Sequence, residues 1–206
     1  MISTILFDFD GVLSFDRFYT TTLKQEHPEV ADWIAKNIFE NNKELVRQWM
    51  RGDISSAQIN QDIAEQTGMD LPTLNQSFEE SVEQISLDED LVALIQKIRE
   101  QDISVGLVTD NMDVFSEIVV GHLNLNQKFD TVLSSSEYGF LKKEQNGKLF
   151  DIALEKLGET DISQSLMVDN QPEVIELYKQ KGGQGYVYKN FHEFEDWIGQ
   201  QLAQNR

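Results

Sequence analysis

Acidic, hydroxyl and amine side chains follow several short apolar runs of this sequence. Asp8 and Asp10 stand one residue apart after the run TILF, and Asp169 follows the run LMV. Thr109 comes directly after another apolar run, and Lys142 lies in the segment GFLKK. Carboxylates and an amine are the groups that covalent and acid–base catalysis use. We therefore begin from the hypothesis that these side chains form one catalytic site.

The apolar runs predict β-strands that would bring these residues together. They are apolar on both faces, as buried parallel strands are, and helical patterns separate the later ones. Alternation of strand and helix indicates a parallel α/β sheet, in which ligands bind outside the carboxyl ends of the strands. Residues i and i+2 of a strand share a face, which favours a common direction for Asp8 and Asp10. The predicted strands are residues 4–9, 103–109, 129–135, 165–168 and 185–189.

The stretch between the first two strands is far longer than a single crossover needs. Its sequence pattern predicts helices, with a break at Gly52 and a Ser-x-x-Gln capping box that begins at Ser55. We predict an inserted helical subdomain over residues 15–87. Residues 1–14 and 88–206 would form an α/β core, a Rossmann-like parallel sheet with helices on both faces.

Four segments in this order resemble the motifs of the haloacid dehalogenase (HAD) superfamily. They are DFDGV at 8–12, Thr109 in LVTDN, Lys142 in GFLKK and Asp169 in LMVDN. The resemblance covers residues 4–14 and 103–190, and the helical insertion lies where that family places its C1 cap. It implies a phosphatase of the HAD type.

The resemblance implies a role for each motif residue. Asp8 would attack a phosphoryl group and form an aspartyl-phosphate. Asp10 would protonate the leaving oxygen and then deprotonate the incoming water. Thr109 would donate its hydroxyl to the phosphoryl oxygens, and Lys142 would neutralise charge on the nucleophile and in the transition state.

Magnesium is the cofactor that the resemblance implies. The ligands would be the carboxylates of Asp8 and Asp169 and the main-chain carbonyl of Asp10, since Mg²⁺ prefers hard oxygen ligands. The family often has a second acid directly after the last motif aspartate. Here Asn170 occupies that position, so Asn170 and Glu173 are supporting groups to examine.

The substrate would be a small phosphorylated metabolite. These acidic motifs and one magnesium ion leave little positive charge to receive a phosphate dianion, so further cations are needed. We expect Arg17 and Arg51 to supply them, and Asp110 and Asn111 to contact the substrate. The segment WMRGDIS at 49–55, which contains Arg51, is similar to a stretch common in the caps of HAD-like phosphatases.

Composition narrows the class of protein further. The chain carries 36 acidic and 17 basic side chains, a net charge of −19, which disfavours binding to nucleic acid or to an anionic membrane. It has no cysteine, which excludes disulfides, thiolate nucleophiles and cysteine-based zinc sites. Neither a signal peptide nor a membrane-spanning run is evident, so we expect a cytoplasmic protein.

Several alternatives remain open from the sequence. Lys143 could replace Lys142, because the proline that many relatives carry after the motif lysine is absent. A phosphomutase keeps both aspartates of the first motif. Dehalogenases lack the second one, so Asp10 argues against that activity. A non-catalytic HAD-fold binding protein is a further alternative, and the oligomeric state is open.

Overall fold

The computed structural model describes residues 1–19 and 22–203. Positions 20, 21 and 204–206 of the predicted domains lie outside the described residues. A five-stranded sheet forms the centre of the molecule, with strand order β3-β2-β1-β4-β5 and every pair parallel. The predicted α/β architecture is confirmed. The strands are β1 (Thr4–Phe7), β2 (Ser104–Thr109), β3 (Thr131–Ser134), β4 (Ser165–Asp169) and β5 (Gln184–Val187).

Strand β1 lies in the middle of the sheet, between β2 and β4. Its last residue, Phe7, stands beside Leu107 of β2 and Val168 of β4. The carboxyl ends of these strands therefore point toward the same edge of the sheet. Strand β1 is shorter than predicted, because it ends at Phe7, and Asp8 and Asp10 lie in the loop that follows.

The long insertion after β1 is helical in its described part. Residue Ser55 caps α4 with the predicted capping box, in which the Gln58 side chain bonds back to the Ser55 main chain. A π-helical segment, Ala35–Glu40, extends α2, so this part of the insertion is not a regular α-helix. The sequence pattern did not reveal α1 or α5. The helices are α1 (Thr22–Glu26), α2 (Pro28–Ile34), α3 (Lys43–Met50), α4 (Ser56–Thr67) and α5 (Leu71–Glu83).

Helices cover both faces of the sheet. Alternate residues of β1 point to opposite faces, with Ile5 and Phe7 in one buried cluster and Leu6 in the other. A π-helical segment (Phe115–Val119) and a short 3₁₀ turn (Ile162–Gln164) accompany these helices. The helices are α6 (Glu89–Arg99), α7 (Val120–His122), α8 (Leu125–Lys128), α9 (Ser135–Tyr138), α10 (Lys148–Lys156), α11 (Pro172–Gln180) and α12 (Phe191–Ala203).

No helix of the described residues is both long and apolar enough to cross a membrane. We call the helical insertion the cap and the remainder the core. The extent of the cap, residues 15–87, is our proposal.

Candidate active site

Three strand ends carry the predicted motif residues to one place. Asp8 follows β1, Thr109 ends β2 and Asp169 ends β4. The Asp8 main-chain N–H donates to the carbonyl of Val168 at 2.9 Å, which continues the pairing of β1 with β4 for one residue. All three motif side chains are buried. The apolar strands thus hold polar groups at the sheet edge in fixed positions.

Lys142 reaches this place from the loop after α9 and is fully buried. Its Nζ lies 2.7 Å from Asp8 Oδ1 and 2.7 Å from Asp169 Oδ2. Burial opposes the charged form of the lysine, but the two carboxylates outweigh it, so the Lys142 pKa is raised above its ordinary value. Lys143 is exposed, so Lys142 is the lysine that joins the motif carboxylates.

Asp8 is a buried carboxyl in an acidic neighbourhood. Burial raises its pKa from 3.8 to about 7, Lys142 opposes that shift, and Asp169 adds to it. Its Oδ1 lies 2.7 Å from Lys142 Nζ, at ion-pair distance. One ammonium between two buried carboxylates leaves an excess of negative charge, which a bound cation would neutralise.

Asp10 lies on the turn that follows Asp8, at the edge of the cap. The Asn111 Nδ2 donates to Asp10 Oδ2 at 2.9 Å, and Arg17 Nη1 lies 3.8 Å from Oδ1. The Asp10 side chain remains 36% exposed. Burial of the carboxyl nevertheless raises its pKa to about 6, against the lowering effects of Arg17 and Lys142. A pKa near 6 suits a group that must both release and accept a proton.

The Thr109 hydroxyl is buried and forms no hydrogen bond with the described residues. A buried hydroxyl without a partner is costly to the fold, so such groups often mark a ligand site. Thr109 Oγ1 therefore has no partner among the described residues, and its hydrogen bond to a phosphoryl oxygen stays a prediction.

Asp110 and Asn111, which are predicted to contact the substrate, make hydrogen bonds within the protein. Asp110 Oδ1 accepts from the main-chain N–H of Lys142 at 2.7 Å, which fixes the lysine loop. Asn111 donates its amide to Asp10 and is itself held by a 3.0 Å bond from its main-chain N–H to Ser135 Oγ. Their geometry favours roles in positioning the catalytic groups.

The predicted magnesium ligands agree with the chemistry of the site. No three His, Asp or Glu side chains within residues 1–19 and 22–203 are grouped as a metal site. The predicted set needs only two carboxylates, those of Asp8 and Asp169, because the third ligand is the Asp10 carbonyl. The two carboxylates share only one ammonium, that of Lys142, and hard carboxylate oxygens with unbalanced negative charge favour a hard divalent cation.

The supporting groups predicted beside Asp169 lie in different settings. Gly11 has a φ of +78°, and a side chain there would collide with the amide of Asn170, so Asn170 packs on the first-motif turn. Glu173 is exposed in the first turn of α11. Asp169 Oδ1 instead accepts a hydrogen bond from the main-chain N–H of Gln171 at 2.7 Å.

A cavity of about 420 Å³ opens beside Asp10. Its lining is largely apolar and comes mainly from the cap. Arg17, one of the two predicted substrate cations, lies in this lining. The aromatic side chains of the lining are Phe18, Tyr19 and Phe39.

Arg51, the other predicted cation, does not line the cavity. Its guanidinium pairs with Glu144 of the core and with Glu44 of α3. In this structure Arg51 thus contacts carboxylates of the protein, and its contact with a substrate stays a prediction.

Some residues that hold the site together carry no distinctive signal in the sequence. Glu144 bonds the loop of Lys142, and Asp113 accepts hydrogen bonds from the cap residues Trp49 and Ser56. Both are acids close to a motif, yet nothing in their spacing distinguishes them from solvated acids. Tyr19, a wall of the cavity, reads in the sequence as an ordinary aromatic residue.

Several known proteins are similar to this chain along most of its length. A pyrimidine 5′-nucleotidase of Escherichia coli strain K12, YjjG, is 28% identical in an alignment of 201 residues that covers 93% of this chain and 87% of the relative. A HAD-like family hydrolase from Porphyromonas gingivalis superposes with a TM-score of 0.76 at 18% identity, over 98% of each chain. A HAD family enzyme from Bacteroides thetaiotaomicron, solved with magnesium and inorganic phosphate, has a TM-score of 0.68 at 19% identity, over 92% of this chain and 95% of that one.

A sequence model of the family described as haloacid dehalogenase-like hydrolase matches residues 2–177. The match includes every motif residue from Asp8 to Asp169 and the whole insertion. The chain therefore belongs to the haloacid dehalogenase-like hydrolases.

Proposed function

We propose that the protein is a magnesium-dependent phosphomonoesterase that acts through an aspartyl-phosphate on Asp8. The observation that carries this proposal is the ammonium of Lys142, which lies 2.7 Å from Asp8 Oδ1 inside a buried site. The lysine stabilises the anionic nucleophile and the charge that builds up as a phosphoryl group is transferred. The unpartnered Thr109 hydroxyl supplies a donor for that group.

The proposed reaction has two steps. In the first, an Asp8 oxygen attacks phosphorus, the bond from phosphorus to the leaving oxygen breaks, and Asp10 gives its proton to that oxygen. In the second, Asp10 takes a proton from a water molecule, the water oxygen attacks phosphorus, and Asp8 is released with inorganic phosphate. Asp10 serves both steps because its pKa, raised to about 6, lets it hold and release a proton near neutrality.

Magnesium would be held by Asp8, Asp169 and the Asp10 carbonyl. It would supply charge neutralisation for the phosphoryl oxygens. Lys142 then balances the remaining carboxylate charge of the buried site. Asn111 keeps the Asp10 carboxyl oriented through its 2.9 Å hydrogen bond, so that the proton carrier stays at the mouth of the cavity.

The leaving group that we propose is a nucleoside, so the substrate would be a nucleoside 5′-monophosphate. The cavity beside Asp10 is large enough for a small ring system and offers an aromatic wall. Phe18 and Phe39 are the partly exposed rings of that wall, and the buried Tyr19 beside them is held in place, since its ring stacks on Phe78 with centroids 4.7 Å apart and its main-chain N–H donates to Ser81 Oγ. A rigid aromatic surface favours a flat base. The 28% identity to a pyrimidine 5′-nucleotidase supports the same class.

The test is phosphate release from a panel of monoesters, with Mg²⁺ and with EDTA. The panel contains pyrimidine and purine nucleoside 5′-monophosphates, hexose phosphates, glycerol phosphate and p-nitrophenyl phosphate, with the Asp8→Asn variant as control. We expect metal-dependent release that disappears in the variant, with the highest kcat/KM for a nucleoside monophosphate. A preference for hexose phosphates would overturn the substrate class, while release from Asp8→Asn would overturn the mechanism.

A further inference from the structure

The turn between α3 and α4, residues 51–55, is a part of the cap that contacts the core. We call this segment the docking turn. At its start, Arg51 Nε lies 3.1 Å and 3.0 Å from the two carboxylate oxygens of Glu144, and Nη2 also bonds Glu144. The two residues are 93 positions apart in the chain. The pair therefore joins the cap to the core by a forked contact.

Glu144 in turn shapes the loop that presents Lys142. Its Oε2 accepts the main-chain N–H of Leu141 at 2.9 Å, and its own N–H donates to the Leu141 carbonyl at 2.9 Å. These bonds close a tight turn with Lys142 inside it. The acid that receives Arg51 is thus the same acid that fixes the catalytic lysine.

This pair differs from the surface ion pairs of the same helix. The side chains of Arg51 and Glu144 are 21% and 32% exposed, and the contact is forked. Arg47, one turn earlier on α3, pairs with Glu44 on its own helix at 3.4 Å, and both side chains are more than half exposed. Forked, partly buried pairs hold geometry far better than exposed ones.

The remainder of the docking turn packs closely against the core. Gly52 has a φ of +75°, and a Cβ there would lie 2.5 Å from the carbonyl oxygen of Ser136. Ser135 Oγ donates to the carbonyl of Met50, just before the turn, at 2.6 Å. The Arg51–Glu144 contact therefore exists only while the cap rests on the core.

We propose that Arg51 is a positioning residue that couples the docked cap to the placement of Lys142. When the docking turn meets the core, Arg51 fixes Glu144, and Glu144 fixes the turn that holds the lysine between Asp8 and Asp169. Lids commonly complete a catalytic site as they close. The proposal rests on the proposed function, because it takes Lys142 as the residue that stabilises phosphoryl transfer.

Steady-state kinetics separate this role from a direct contact with the substrate. The variants are Arg51→Ala, Arg51→Lys, Glu144→Gln and the double variant Arg51→Ala/Glu144→Gln, with Arg47→Ala as matched control on α3. Each is assayed with p-nitrophenyl phosphate and with the preferred nucleoside monophosphate.

Arg51→Ala and Glu144→Gln are each expected to lower kcat by about three- to tenfold for both esters, because each removes the contact between Arg51 and Glu144. The kcat of the double variant is expected to equal that of the less active single variant. The kcat of Arg51→Lys is expected to lie between those of Arg51→Ala and the wild type. A KM increase confined to the nucleotide in Arg51→Ala, with Glu144→Gln unaffected, would show a substrate contact and overturn the proposal. The proposal would also be overturned if Arg51→Ala and Glu144→Gln had the same kcat as Arg47→Ala.

Amide hydrogen exchange tests the coupling without any substrate. The probes are the amides of residues 50–56 and of residues 141–147 in the metal-free protein. Arg51→Ala is expected to speed exchange in both segments, whereas Arg47→Ala leaves both unchanged. Faster exchange in 50–56 alone would refute transmission to the lysine loop. If the wild type releases phosphate from no ester, the proposed function fails, and the exchange result still decides whether the two segments are coupled.

Discussion

The Nζ of Lys142 lies 2.7 Å from Asp8 Oδ1, in a place where the lysine side chain is completely buried. The same nitrogen lies 2.7 Å from Asp169 Oδ2. Two buried carboxyl groups thus share one ammonium, and the cluster carries a net negative charge whenever both of them are ionised. Such an arrangement stabilises the charges of phosphoryl transfer while it makes the metal-free fold sensitive to changes in the cluster.

Replacement of the buried lysine is expected to lower both stability and activity. Lys142→Met leaves Asp8 and Asp169 without their shared cation, and removal of one partner from a buried pair typically lowers the free energy of unfolding by about 3–5 kcal/mol. Urea unfolding at pH 7 in EDTA measures this loss. Lys143→Met is the matched control, since Lys143 is exposed, and it is expected to leave stability and kcat close to wild type. Equal effects of the two changes would contradict the assignment of Lys142.

The nucleophile assignment predicts a nearly inactive Asp8→Asn variant. Asparagine keeps the size of the side chain but cannot form the acyl phosphate, so kcat is expected to fall by about a thousandfold or more. The measurement is phosphate release under saturating Mg²⁺, with circular dichroism to verify the fold. Turnover within tenfold of wild type would show that another group attacks phosphorus.

Stability in the absence of metal is expected to depend on pH through Asp8. Burial raises its pKa from 3.8 to about 7, so the folded state binds this proton more tightly than the unfolded chain does. The stabilisation is complete below the unfolded pKa and is lost as pH rises through about 7.

In EDTA, the Tm of Asp8→Asn minus that of the wild type is therefore expected to increase between pH 5 and pH 8. Thermal unfolding of both proteins over this range measures the difference, which removes the contributions of other titrating groups. A difference that stays flat or falls would contradict a raised Asp8 pKa.

Metal binding should depend on the carboxylate of Asp169. Asp169→Asn removes one of two proposed anionic ligands and is expected to raise the Mg²⁺ concentration for half-maximal activity by roughly ten- to a hundredfold. Glu173→Gln provides a comparison from the start of the next helix, where the side chain is exposed. A magnesium requirement unchanged in Asp169→Asn and raised in Glu173→Gln would transfer the ligand role to Glu173.

Two glycines of the cap allow the docking turn to be tested by a matched pair. Gly52 and Gly68 have φ values of +75° and +74°, but only Gly52 meets the core closely; around Gly68 a Cβ would find no atom within 4 Å. Gly68→Ala is expected to lower the free energy of unfolding by about 1–2 kcal/mol, the strain of a left-handed backbone. Gly52→Ala is expected to lose about 1–3 kcal/mol more, because the added methyl group collides with the Ser136 carbonyl. Chemical denaturation of both variants gives the comparison, and equal losses would show that the contact with Ser136 relaxes freely.

Local sequence patterns were sufficient to predict many of the strands and helices of this protein. Runs such as TILF are apolar on both faces, and burial between two helical layers makes them strands wherever the rest of the chain folds around them. The Ser55 capping box forms between residues three apart, so it is decided by short-range hydrogen bonds. The order of the motifs at strand ends likewise follows from the chain itself.

Contacts between distant segments were decided only by the tertiary structure. Arg51 was expected at the substrate, and its partner is Glu144, 93 positions away, because the docking turn meets the lysine loop. Asn111 was expected at the substrate as well, and the structure shows that its amide donates to Asp10. An arginine or an asparagine has the same local signal whether it binds a ligand or a carboxylate of its own chain. The sequence alone determined which residues stand at the ends of the strands, and the packing of the cap on the core determined which of their neighbours support them.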